Sequence, residues 1–180
     1  MSTESSSAAR RQRPVWLAAA LTLFSLGLYY VWWFGATWAE LKRERRDPTM
    51  RPAWHALTSI VPVYASFRAH AHFRALADLA KPHVPGLSDG AAWATWIVSI
   101  EWVVAVVSLV TQGLFAVLLS LIGAALYAVV IWRGQSDFNA YLRATGGEPR
   151  ERAHAIEIIA LVLSVLFAIA WVGTVLVSPA

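Results

Sequence analysis

The chain has no cysteine among its 180 residues. That excludes disulfides, thiolate nucleophiles and cysteine-based metal sites, and it leaves the compartment open. Charge is scarce as well: Asp, Glu, Lys and Arg make up 14% of the sequence, against a hydrophobic content of 58%. A soluble domain is about a quarter charged, so this chain has too little polar residue to cover a surface facing water. Catalytic signatures are also missing. There is no glycine loop to cradle phosphate, no His-Glu-x-x-His, no Gly-x-Ser-x-Gly elbow and no acidic cluster for metal-dependent phosphoryl transfer. The reading is of a chain that is not an enzyme and carries no cofactor and no metal. His70 and His72 invite a metal reading, but a spacing of two puts them on different sides of a helix. The formal charge is +4, yet the basic residues lie between apolar runs and no folded basic domain is available to hold nucleic acid. Lipid is the expected partner, with anionic headgroups at the basic segments.

What the sequence does have is apolar length. Five runs stand out, at 16–38, 53–67, 91–111, 113–132 and 155–177. A transmembrane helix needs about 20 apolar residues, which four of the five supply. The expected fold is all-α: a polytopic transmembrane bundle of four or five spans with amphipathic cytoplasmic helix extensions. Residues 1–13 read as a disordered basic tail, and 14–180 as a single transmembrane domain. The run 16–38 begins like a signal peptide but ends in Tyr29-Tyr30-Val31-Trp32-Trp33-Phe34, with no small-residue cleavage site, so it reads as an uncleaved span. The run 53–67 is short and holds Pro62. It reads either as a kinked span or as a re-entrant or interfacial helix, and 68–81 as a basic helix lying on headgroups. Runs 91–111 and 113–132 form a tight hairpin.

Orientation turns on the run 53–67. If it crosses, ten of the Lys and Arg residues fall on one side and five on the other; if it does not, the division is twelve to three. The positive-inside rule mildly prefers the second, whereas keeping the three arginines of the N-terminal tail in the cytoplasm prefers the first. The assignment made is five spans in a bacterial inner membrane, N-terminus cytoplasmic.

Two segments echo one another 35 positions apart: Leu26-Gly27-Leu28-Tyr29 and Val61-Pro62-Val63-Tyr64, each followed by an aromatic and then by a helix running out to basic residues. A duplicated half-module is one reading. Chance recurrence of aromatic–Gly/Pro neighbourhoods in a membrane chain is the other.

The stretch Leu21-Thr22-Leu23-Phe24-Ser25-Leu26-Gly27-Leu28-Tyr29-Tyr30-Val31-Trp32-Trp33-Phe34 resembles the Thr-x-Gly-Ile-Tyr-x-x-Tyr-Trp signature that opens the bacterial membrane family called domain of unknown function 4234. Ile60-Val61-Pro62-Val63-Tyr64 resembles that family's second apolar segment, and Gln135 to Asn139 a stretch after its last helix. The motif-like residues are Gly27, Tyr29, Trp33, Pro62, Tyr64 and Asn139. The resemblance implies a multi-spanning architecture and no activity.

One residue carries chemistry. Glu101 falls in the middle of the run 91–111, near the bilayer midplane. An acid there costs roughly 3 kcal/mol on insertion scales, and the run's nine Ile, Val and Leu residues return roughly 0.3–0.6 kcal/mol each. The helix therefore inserts with its acid. At helical spacing Glu101 shares a face with Ala94, Ala105, Ser108 and Gln112, and that face is expected to point inward. It reads as a proton or cation site, or as a protonated acid hydrogen-bonded across helices. Ala116, Ser120, Ala124 and Ala128, and separately Ala160, Ser164 and Ala168, recur every four residues, a spacing that lets helix backbones approach closely, within the monomer or at a homo-oligomer interface. Trp16, Trp38, Trp54, Trp93, Trp132 and Trp171 lie near run ends and read as interfacial anchors. Two functions follow: a small membrane scaffold or interaction protein, and, as the alternative, a small proton- or cation-linked permeation unit that uses Glu101.

Overall fold

The structure, a computed structural model, describes residues 12–148 and 153–177. The N-terminal tail read at 1–13 lies almost wholly outside them. Among the described residues the chain forms seven helices and no strand: α1 Val15–Phe24, α2 Leu28–Arg45, α3 Pro52–Thr58, α4 Tyr64–Ala80, α5 Ala91–Leu109, α6 Gly113–Ala144 and α7 Ala155–Val177. Three of them, α5, α6 and α7, are long and apolar enough to cross a bilayer. The expected four or five are not found, because the first two apolar runs are broken.

The run 16–38 ends its first helix at Phe24 and restarts at Leu28. Between them Leu26 and Gly27 adopt left-handed φ values of 51° and 89°, which reverses the chain. Gly27 takes this conformation at no steric cost. The turn satisfies its own backbone: Ser25, Leu26 and Gly27 donate to the carbonyls of Leu21, Leu23 and Thr22, and Ser25 Oγ accepts from the Tyr29 N–H at 2.9 Å. A broken helix tolerates an apolar setting only when its freed groups are re-paired in this way. The chain then folds back. Arg13 ahead of α1 pairs with Glu40 near the end of α2, so the two feet of the hairpin stand together.

The run 53–67 repeats the device. Pro62 removes a donor, Val63 stands at φ 62°, and His55 meets Arg68 at 3.1 Å across the fold. Each unit is a short helix, a tight turn and a long helix. The echo at 35 residues is therefore a repeated hairpin. Thr37 Oγ1 of α2 and His72 Nε2 of α4, themselves 35 apart, meet at 3.3 Å.

The long helix α6 sets the register. α1 runs antiparallel to it, from Gln12 beside Gly147 to Leu26 beside Gly123 and Ala124. α2 runs parallel, from Tyr30 stacked on Tyr127 to Glu44, which accepts from the Tyr141 hydroxyl at 2.8 Å. α4 lies between α5 and α6, held by Ser66–Ser99 and His70–Thr95 contacts and by Phe73 against Gly134. Its buried residues include Ala65, Ala69, Ala75, Ala77 and Ala80. The segment 68–81 is thus a core element rather than a helix lying on headgroups; its small side chains bring the neighbouring helices close. α2 and α6 continue past their apolar stretches, to Arg45 and Ala144.

All the hairpin feet, the start of α5 and the end of α6 gather at one end of the bundle. There Trp16, Trp32, Trp54, Trp93, Trp96 and Trp132 are exposed around the perimeter. The described Lys and Arg residues lie toward that end, except Arg68, which donates to Tyr64 at the second hairpin tip; the opposite end, the connection at 110–112, has none. Two expected anchors are elsewhere: Trp38 is buried against His55 and His72, and Trp171 lines a pocket.

Candidate functional site

Glu101 stands half-way along α5 and is 6% exposed. Its neighbours are set by the absence of a side chain at Gly123: a Cβ there would lie 3.5 Å from Glu101 Oε1 and 3.8 Å from Val104 Cγ1. α6 therefore approaches α5 at the acid itself. One turn further along α6, the Tyr127 side chain is close enough to interact with the carboxyl. Tyr127 stacks on Tyr30 of α2 with ring centroids 4.2 Å apart and planes 17° apart, and its ring also covers Gly27. Glu101 Oε2 and the Tyr30 hydroxyl are buried without a hydrogen-bond partner. An unpaired buried polar group costs about 1–3 kcal/mol and more when charged; Trp38 Nε1, Arg68 Nε, His72 Nδ1 and Trp102 Nε1 are buried in the same way.

The acid opens onto a pocket of about 270 Å³. Leu26 and Leu28 of the first hairpin tip form one wall, and Phe167 and Trp171 of α7 another. Ala105 and Ser108 continue the α5 face, while Ser120, Gly123 and Ala124 come from α6. The predicted inward face of α5 is therefore present through Ser108, whose hydroxyl donates to the Ala105 carbonyl at 2.8 Å. Gln112 is not part of it. α5 ends at Leu109, and Gln112 is exposed in the extended backbone that precedes α6. Of the small residues on α6, Ala116 and Ala124 are buried and Ser120 and Ala128 half-buried. Ala160, Ser164 and Ala168 are half-buried on α7, which packs on α1 and α6 and buries none of its residues fully.

The motif-like residues divide between two places. Gly27 is at the first tip, and Tyr29 packs its ring 5.1 Å from Trp32. Trp33, fully buried, donates from Nε1 to Gln135 Oε1 at 2.9 Å; Gln135 donates to Asn139, and Asn139 to the Arg13 carbonyl at 2.7 Å. This chain of bonds ties both arms of the first hairpin to α6. Pro62 and Tyr64 belong to the second tip, where Tyr64 accepts from Arg68 at 3.0 Å. At the charged end, burial holds the Glu40 carboxyl above its ordinary range and the adjacent Arg13 guanidinium works against that shift.

Tyr30, Gly123, Tyr127 and Phe167 are site residues that the sequence did not single out, and Trp171 reads there as an interfacial anchor. A signal existed for Tyr127, the one hydroxyl-bearing ring in the run 113–132. His70 and His72 point to different neighbours, Thr95 and Thr37. No group of three or more His, Asp or Glu side chains is placed to hold a metal among the described residues. No family model, curated protein or solved structure matches the chain.

Proposed function

We propose that the chain is an integral inner-membrane protein in which α5, α6 and α7 cross the bilayer and both hairpins enter and leave on the charged side. The support is the distribution of charge: with both hairpins re-entrant, no described Lys or Arg is left at the far end, a sharper asymmetry than either assignment weighed from the sequence. The positive-inside rule then puts the charged end, and Gln12 with it, in the cytoplasm.

Its working part is the Glu101 pocket, and its activity a small proton- or cation-linked permeation step. The single observation behind this is Glu101 Oε2, buried without a partner beside a pocket lined in part by serines. Intramembrane acids in such settings typically hold a proton or a cation on a pathway. In liposomes with an imposed gradient, wild type should carry proton or monovalent-cation flux and Glu101→Gln should lose it. Absence of flux above empty liposomes, or equal flux in the Gln variant, defeats the reading. The scaffold reading is favoured by a different observation, the peripheral α7 with no buried residue. It predicts recovery of a partner or a homo-oligomer after mild detergent extraction.

A further inference from the structure

The two hairpins make the molecule unequal in cross-section. On the charged side of Glu101, α1, α2, α3 and α4 pack alongside α5, α6 and α7. At the level of residues 110–112, only α5, α6 and α7 remain. A helix is about 10 Å across, so four extra segments add roughly 300 Å² of protein on one side of the bilayer.

The tips are built for hydrocarbon. Phe24 and Leu28 on the first, and Ile60, Val61, Val63 and Phe67 on the second, are exposed apolar side chains lying beyond the tryptophan ring. The ring and the charged feet fix the headgroup plane behind them, since indoles settle at that level. The hairpins are therefore embedded in one leaflet rather than laid on it, and they stop near the level of Glu101, Gly123 and Val103.

We infer that this chain acts as a wedge: it expands the leaflet on its charged side, and it bends, and gathers in, membrane in which that leaflet is convex. The inference rests on the topology proposed above and is independent of Glu101. Its partner is the lipid bilayer itself.

The absence of native cysteine makes the test clean. Single cysteines at Pro85 (in the exposed connection between α4 and α5), at Val61 (on the second tip) and at Gln112 are probed with a membrane-impermeant maleimide. The full chain is reconstituted into large and into small vesicles of one neutral lipid. Labelling of Pro85→Cys from outside should rise toward completeness from large to small vesicles, as the charged end sorts to the convex leaflet. Gln112→Cys should fall in step, and Val61→Cys should stay unlabelled until detergent is added. Equal Pro85→Cys labelling at both sizes overturns the wedge while leaving the topology standing. Labelling of Val61→Cys together with Gln112→Cys shows the hairpin crossing and overturns both.

Discussion

The interface between the two hairpins makes a prediction whose sign separates two physical accounts. Gly35, mid-way along α2, faces Ala56 of α3: a Cβ at position 35 would lie 2.9 Å from Ala56 Cβ and 3.9 Å from the Pro52 carbonyl oxygen. Carbon atoms rest at about 3.5–4.0 Å, so Gly35→Ala forces the helices apart by roughly 0.6–1 Å. Neither carbon can swing away, because both are fixed to helical backbone. Intrinsic propensity alone would make the change stabilising by about 1 kcal/mol. Overpacking costs about 1–3 kcal/mol. The expected net is a loss of up to about 2 kcal/mol. Ala56→Gly alone should lose about 1 kcal/mol through helix propensity. Combining the two moves the methyl across the interface and restores the contact, so the double variant should return close to wild type, with a favourable coupling of about 1–3 kcal/mol. Unfolding of the purified protein by SDS titration in mild detergent, followed by helical circular dichroism, measures all four corners of the cycle. A stabilised Gly35→Ala variant, or two effects that simply add, would show that α2 and α3 do not pack here.

Three other outcomes follow from the same contacts. At Gly134 a Cβ would lie 2.7 Å from the ring of buried Trp33 and 3.1 Å from that of Phe73, so Gly134→Ala should lose about 1–3 kcal/mol in the same titration. Trp33→Phe keeps the ring but leaves Gln135 Oε1 without its donor, which should cost about 1–3 kcal/mol and increase proteolysis at the first hairpin. Arg13→Gln removes the partner of the partly buried Glu40, and losing one member of a buried pair costs up to about 3–5 kcal/mol. Glu40 is already raised by burial, and without Arg13 it rises further. The deficit relative to wild type is therefore full where Glu40 is ionised and shrinks as pH falls through its folded pKa, so thermal melts at neutral and mildly acidic pH should converge.

Helices α5, α6 and α7 were legible because apolar length alone specifies them, and residues 110–112 leave little room between the first two. Glu101 was legible because an acid in a long apolar run needs a reason. The first hairpin was not, and for the second a re-entrant helix was only one of the readings open for the run 53–67. Apolar composition records that a segment avoids water, but it does not record its direction, and a run folded back at Gly27 reads the same as one that continues. The echo at 35 residues held the information in weak form. Its turn chemistry, Gly27 in one copy and Pro62 in the other, looks different residue by residue and is equivalent only as backbone. The segment 68–81 misled for a related reason: its His and Arg residues suggested a surface, while the alanines between them did the packing. Trp38 and Trp171 lie at run ends, and only the reversal of the chain decides that one is core and the other a pocket wall.

The turn at residues 25–27 also bears on how the protein reaches its membrane. A continuous first span would have required the charged stretch from Glu40 to Arg51, with its five Lys and Arg residues, to be carried through the bilayer during synthesis. In the proposed topology, reversal at Gly27 returns that stretch to the side it came from, and the second hairpin does the same for Arg74 and Lys81. Between crossing helices, the proposed topology then asks the insertion machinery to deliver only the uncharged Val110, Thr111 and Gln112.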